Sequence, residues 1–352
     1  MGEKTTSQRK DAHLDLCVSA QVEPLENRTL LECVHLVHCA MPELTVNDVD
    51  TSARLFGRPL AVPLLITGMT GGTERAREVN RDLASLAEKH RLAFGVGSQR
   101  VMVEHPEAAQ SFRVRDVAPT AVLLGNIGLR QAAALGVDGV RRLAEDIGAD
   151  GMALHLNAAQ ELTQPEGERD FRGGYATVEK LAQAFGERLM VKETGCGIAP
   201  KVAVRLSECG VRSLDISGLG GTSWVRVEQL RAHGVAAEVG AQLSSWGIPT
   251  AAAVASVRQA VGPNVTLVAS GGVRTGLEAA KALALGADLV GLALPLFRAQ
   301  QEGGTAAAER VLETIVTALR EVLLLTGSRT PAALREQPLV LTGELKEWLA
   351  AL

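Results

Sequence analysis

Eight short apolar runs, seven of them followed by a polar or glycine-rich cluster, constrain this chain more than any other feature. They cover residues 62–67, 92–97, 121–126, 151–156, 189–193, 213–217, 265–270 and 288–292. Each has the length and aliphatic content of a strand buried in a parallel sheet. Ala-rich stretches at 74–89, 139–147, 200–209 and 276–285 carry helical periodicity between them. Eight strand–helix units predict an α/β fold of the closed (β/α)8 TIM-barrel class more than an open doubly wound sheet.

The 352 residues suffice for one such barrel with extensions. We read a single domain, with an N-terminal arm over 1–60, a barrel over 61–300 and C-terminal helices over 301–352. The arm holds a helix candidate at 7–20, and 306–325 reads as a closing helix. Two connections exceed the regular spacing, at 158–175 and at 222–262, the latter with Trp224 and Trp246. Long connections on an economical scaffold often serve as lids or binding loops.

Charge and composition exclude several roles. A net charge of -4 leaves no basic footprint for nucleic acid. No run of about 18 apolar residues predicts a membrane span, and the polar residues 1–10 do not read as a signal peptide. The five cysteines form neither a CxxC pair nor an even framework, so free thiols and a cytoplasmic location are expected. His35, His38 and Cys39 have a metal-like spacing without a partner cluster, and are expected in the core.

Chemistry concentrates behind the strands. The clusters are Thr67-Gly68-Met69-Thr70-Gly71-Gly72, Gly97-Ser98-Gln99-Arg100, Gly125-Asn126, His155-Leu156-Asn157 with Gln160-Glu161, Lys192-Glu193, Ser217-Gly218 through Thr222, and Ser270-Gly271-Gly272-Val273-Arg274. In a barrel all of these share the rim that carries active sites. Gly271-Gly272 follows the seventh run and precedes a helix. Taken alone it is a tight turn; in that position backbone N–H groups and a helix N-terminus make a phosphate site. Lys192 at the mouth needs a negative partner, either a neighbouring carboxylate or a flavin ring at its N1–C2 edge. His155 and Asn157 share a strand face. Glu161 suits a hard divalent cation such as Mg2+. On the arm, Arg9 and His13 share a helix face, with Lys10 beside them, and a cationic face there suits a diphosphate.

Together with the motif Gly218-Leu219-Gly220-Gly221-Thr222-Ser223-Trp224, this ordered set resembles the type 2 isopentenyl diphosphate isomerases from about residue 7 to residue 300. The resemblance implies an FMN enzyme that interconverts isopentenyl and dimethylallyl diphosphate in isoprenoid biosynthesis, with Mg2+ and with NADPH as flavin reductant. It implies that Thr67, Gly68, Met69, Ser98, Asn126, Lys192, Ser217 and Thr222 hold the ring and ribityl chain, and Gly271, Gly272 and Arg274 the phosphate. Arg9, Lys10, His13, Arg100, His155 and Asn157 would bind the diphosphate. Gln160 would face the allylic carbons as the catalytic residue, also contacting substrate, and Glu161 would carry the metal. A homo-oligomer, tetramer or octamer, is also implied. The alternative is another FMN barrel, an oxidoreductase of the 2-hydroxy-acid oxidase or dihydroorotate dehydrogenase type, which explains neither the cationic arm nor Glu161.

Overall fold

Parallel pairing around a complete ring frames the molecule. The computed structural model describes residues 6–19, 21–24, 28–164 and 166–352, with no side-chain description before Lys10. Its strands are β1 (Leu64–Ile66), β2 (Ala93–Gly95), β3 (Val122–Gly128), β4 (Gly151–His155), β5 (Leu189–Lys192), β6 (Ser213–Asp215), β7 (Thr266–Ala269) and β8 (Leu289–Leu292). They close in that order, β8 pairing with β1 through Val290–Leu64 and Leu292–Ile66. All eight lie inside or against the apolar runs. Because every strand points the same way, each polar cluster behind a run falls on a single rim.

The helices follow from the periodic stretches. Helix α1 (Thr6–Ser19) belongs to the arm. Helix α2 (Glu74–His90) begins where the Thr73 hydroxyl accepts from Ala76 N, and turns Ala76, Val79, Leu83 and Ala87 inward. Helix α3 (Leu129–Asp146) starts ten residues before the expected 139, and it kinks at Gly136, where φ is 65°. The polar stretch behind β4 opens with α4 (Ala158–Thr163). The long connection behind β6 is itself helical: α5 (Trp224–Arg231), α6 (Val235–Leu243) and the ordinary barrel helix Thr250–Val261. After β8 comes α7 (Leu294–Leu325), broken at Gly303 and Gly304.

Two features correct the sequence reading. The C-terminal segment is not wholly helical: Leu339–Leu341 pairs antiparallel with Val34–Leu36 of the arm. His35 and His38 are exposed rather than in the core, and His35 Nε2 lies 3.2 Å from Thr342 Oγ1. A strand with one buried and one solvated face shows its polar alternate to water, which accounts for His35 between Val34 and Leu36, while His38 lies beyond the strand on an exposed loop.

A hairpin of Ala53–Leu55 and Arg58–Leu60 closes the other end of the barrel. Its two turn residues, Phe56 and Gly57, both take positive φ, as a two-residue hairpin turn of this hand requires. Leu55 and Leu60 pack against Ala93, Val122 and Leu289, each the first residue of its strand, and against Leu65 and Val268 within the ring. The floor is therefore dry and the mouth polar. Leu55 is 1% exposed, and Leu55→Ala should cost about 2–5 kcal/mol, the usual range for emptying such a site. A lowered urea midpoint at unchanged slope measures it; an unchanged midpoint would mean that the hairpin does not seal the barrel.

Candidate active site

Two adjoining cavities open at the C-terminal rim, sharing Gly68, Met69, Lys192, Thr194 and Trp224. The first is roofed by the arm. Lys10, His13, Leu14 and Cys17 line it from α1 at intervals of three and four residues, so one helix face looks into the mouth. Lys10 Nζ donates to Ser98 O at 2.8 Å. Arg9, which the sequence reading paired with His13, has its side chain outside the described residues. From the rim come Ser98, Arg100, Asn126, His155, Asn157, Gln160 and Glu161.

Strand ends and a short helix position these groups. Asn126 donates from Nδ2 to Val96 O at 3.0 Å, which leaves its Oδ1, 2.8 Å from His155 Nδ1, as acceptor. That geometry puts the proton of a neutral His155 on Nδ1 and leaves Nε2 as the acceptor. Burial, then Lys192 and Lys10, push the His155 pKa down from 6.5 to about 3. On α4, Asn157 Nδ2 donates to Glu161 Oε1 at 2.9 Å, and Glu168 N donates to Glu161 Oε2 at 2.9 Å. Glu161 is buried and lines the cavity, and with one donor on each carboxylate oxygen it keeps further acceptor capacity.

Gln160 is held at both ends: Asn157 Nδ2 reaches its Oε1 at 3.3 Å, and its Nε2 donates to Glu228 Oε1 at 3.2 Å. Glu228 is the residue that sequence reasoning missed. It lies on α5, 2.9 Å from His13 Nε2 and 2.5 Å from Arg231 Nη1, and Gln164 Nε2 donates to it at 2.8 Å. Burial alone would raise its pKa, but His13, Arg231 and Gln160 hold it down at about 2. Trp224, one turn earlier, meets the His13 ring edge-on at 5.3 Å between centroids. The spacing Trp224, Glu228, Arg231 marks one helix face and was a usable signal, hidden in a stretch read as a lid.

The second cavity holds the other candidates: Thr67, Gly68, Met69, Lys192, Ser217, Thr222, Gly271, Gly272 and Arg274. Gly271 and Gly272 have φ of 98° and 88°, and a Cβ at either would lie 2.1 Å from Gly218 O or 2.4 Å from Gly220 O. Two loops meet backbone to backbone there, which only glycine allows. Ser217 also takes positive φ, 42°, a strained conformation of the kind found at functional sites. The N-terminus of α7 borders the same space, since Ala293, Leu294 and Pro295 line it, and a helix N-terminus favours an anion. Arg274 is partly committed, donating to Gly272 O at 2.7 Å and pairing with Glu23 of the arm. Glycine cradle, helix N-terminus and arginine together suit a phosphate beside a flat ligand, and so fit FMN.

No helix among the described residues is long and apolar enough to cross a membrane.

Residues 157–341 match the family model described as FMN-dependent dehydrogenase. The isopentenyl-diphosphate delta-isomerase of a Synechococcus strain is 46% identical over 95% of this chain and 96% of that protein. The enzyme of the same name from Ignicoccus hospitalis is 43% identical over 97% and 96%. Among solved structures, a mandelate oxidase with (S)-2-phenylpropionate superposes with a TM-score of 0.66 at 18% identity, covering 95% of this chain and 98% of that one. The last shows the shared barrel fold. The chain belongs to the isopentenyl-diphosphate delta-isomerase family, in its FMN-dependent type 2 branch, and is an isomerase.

The partly buried, neutral His155 makes stability depend on pH. Its folded pKa, about 3, lies below the unfolded 6.5, so its contribution is complete above pH 6.5 and is lost as pH falls toward 3. Between pH 7 and pH 4.5 the protein should lose up to about 2 kcal/mol more than a His155→Gln variant, read from urea midpoints at the two pH values. Equal losses would mean that His155 is charged or solvated.

Proposed function

We propose that this chain interconverts isopentenyl and dimethylallyl diphosphate, with no net redox change, on reduced FMN and with Mg2+, as a cytoplasmic step of isoprenoid biosynthesis. NADPH is the proposed flavin reductant. The observation that carries the reading is the junction of two cavities of different character. A glycine cradle for a phosphorylated flavin shares Lys192, Gly68 and Met69 with a chamber that holds several cations and one buried, oxygen-only Mg2+ candidate.

The amides of Gly271 and Gly272, Arg274 and the first turn of α7 would hold the FMN phosphate. Thr67, Gly68, Met69, Ser98, Asn126, Ser217 and Thr222 would line the ribityl chain and ring, with Lys192 at the N1–C2 edge. When bound in reduced form, FMN supplies a proton-exchanging N5 and a flat, electron-rich face that favours cationic carbon. Arg9, Lys10, His13, Arg100 and Asn157 would donate to the diphosphate, and His155 would join them once the substrate's negative charge favours its imidazolium form. Charge-assisted donors are short and strong in such a site. Mg2+ takes few carboxylates and keeps waters and phosphate oxygens, which suits the single Glu161.

Isomerisation needs a proton added at the terminal alkene carbon and another removed from C2. Gln160 is the catalytic residue of this reading, placed over those carbons. An amide is a weak acid and base, so its task is to orient the allylic unit and relay a proton it does not keep. Glu228 fixes the Gln160 amide. With its pKa held near 2, Glu228 stays ionised and is a poor general base at neutral pH. Leu14 and Trp224 give the hydrocarbon end a water-poor wall. The chain acts as one domain whose arm serves the mouth, within a homo-oligomer, tetramer or octamer.

Anaerobic assay of isopentenyl diphosphate with FMN, Mg2+ and NADPH, each omitted in turn, tests this. Product should require reduced flavin and Mg2+ and should not consume NADPH stoichiometrically. Reduced, flavin-loaded protein without product would sink the isomerase reading, and net flavin reduction by a 2-hydroxy acid would replace it with an oxidase. Glu161→Gln should lower kcat/KM by roughly 100-fold or more, beyond what lost partners of metal ligands cost. Its flavin absorbance should not change. Unaltered Mg2+ dependence in that variant would remove Glu161 from the metal site.

A further inference from the structure

Lys192 and Asp215 are register partners at the ends of β5 and β6, and Asp215 is joined to Ser270 behind β7. Asp215 is 0% exposed. Its Oδ1 accepts from Ser270 Oγ at 2.5 Å, while Oδ2 is buried without a hydrogen-bond partner, 4.0 Å from Lys192 Nζ. Lys192 Nζ donates to Glu193 O at 2.6 Å. Other charges nearby are already spoken for. Glu193 turns its carboxylate onto the amides of Thr194, Gly195 and Cys196, and His155, paired with Lys192 across β4 and β5, is held neutral.

Lys192 lines both cavities, so one ammonium serves Asp215 on the inner side and the flavin edge on the outer side. We propose that Asp215 is a positioning residue that takes up a proton when the flavin is reduced, leaving the charge of Lys192 to the anionic N1–C2 edge. This rests on the FMN placement given above. Two electrons and one proton convert FMN to the reduced form with N5 protonated and N1 bare. The second proton goes to the Asp215 carboxylate. The electrons come from a hydride donor of the nicotinamide class, or from dithionite in the test.

The reason is charge economy in a dry site. One cation cannot neutralise two buried anions, and an uncompensated buried charge neutralises instead. The two groups titrate as a coupled pair, with Asp215 the one lacking a donor on its second oxygen. Burial already pushes the Asp215 carboxyl up, against the opposing pull of Lys192, the Ser270 hydroxyl and the Ser217 backbone amide. An ionised N1 edge would weaken the share of Lys192 that holds it down.

Potentiometric titration of the FMN-loaded protein across pH 6–9, with absorbance reporting the reduced form, tests this directly. The protein should take up two protons per two electrons although its reduced flavin has the anionic spectrum. Asp215→Asn, which preserves shape and the Ser270 contact, should take up one, halving the pH slope of the potential. Equal proton counts in both proteins overturn the proposal. Redox-difference infrared spectra of the unmodified protein need no variant to fold: a carboxylic-acid carbonyl band should appear on reduction, and its absence also overturns the proposal. Lys192→Met separates the premise from the proposal. It should destabilise the anionic flavin spectrum, and an unaltered spectrum would instead overturn the placement of the ring edge at Lys192.

Discussion

The mouth of this barrel depends on two loops packing backbone against backbone. Gly218 and Gly220 behind β6 meet Gly271 and Gly272 behind β7 so closely that one added methyl group would overlap a carbonyl oxygen. Thr250 Oγ1 seals the contact by donating to Gly271 O at 2.5 Å. The same loops hold the arm. Thr29 packs on Gly220 and Gly272, and its carbonyl accepts from Ala251 N at 2.9 Å, while Val22 O accepts from Ser223 N at 2.9 Å. A side chain in this junction would therefore disturb the phosphate cradle and the seat of the arm together.

The barrel was legible in the sequence because closed parallel strands are buried on both faces. Such strands read as short apolar runs whatever their distant partners, and 64–66 and 289–292 could be seen without knowing that they close the ring. Rim clusters were legible for the same reason, since their position behind a strand fixes where they point. Less could be read where structure depends on distant pairing. Leu339–Leu341 finds its partner three hundred residues earlier in Val34–Leu36, and nothing local marks either as a strand. The hairpin of Ala53–Leu55 and Arg58–Leu60 looked like arm, because it is short and the burial of Leu55 and Leu60 depends on the open floor of a barrel that must form first.

Within the site, residues with a motif around them were visible and residues that serve those motifs were not. Gln160 and Glu161 sit beside His155 and Asn157 in sequence. Glu228 is 68 residues from the Gln160 it orients, on a helix inside a connection whose length suggested a lid or a binding loop. Its chemistry arises only when α1 and α5 meet and bring His13 and Arg231 to one carboxylate. A buried ion cluster of this kind has no local sequence period, because its members come from separate elements.

Charge balance explains why the arm and the flavin site belong together. Buried Glu161 lines the first cavity and buried Glu228 lies behind it, against Gln160 and Gln164, and α1 delivers Lys10 and His13 to the same mouth. Without α1, Glu228 would keep Arg231 but lose His13, first among the groups that hold its pKa down. Arm and barrel also share charges at the cradle. Glu23 lies between Arg274, which borders the phosphate site, and Arg298 of α7, 3.7 Å away. Arg298 Nε in turn donates to Cys17 O at the end of α1, at 2.9 Å. One arginine thus borders the second cavity on one side and an arm carboxylate on the other. A dianion arriving at the cradle competes with Glu23 for Arg274, while Arg298 keeps the arm in place through both Glu23 and the α1 carbonyl. The arm and the second cavity are therefore joined through one run of charged groups, Arg274, Glu23 and Arg298.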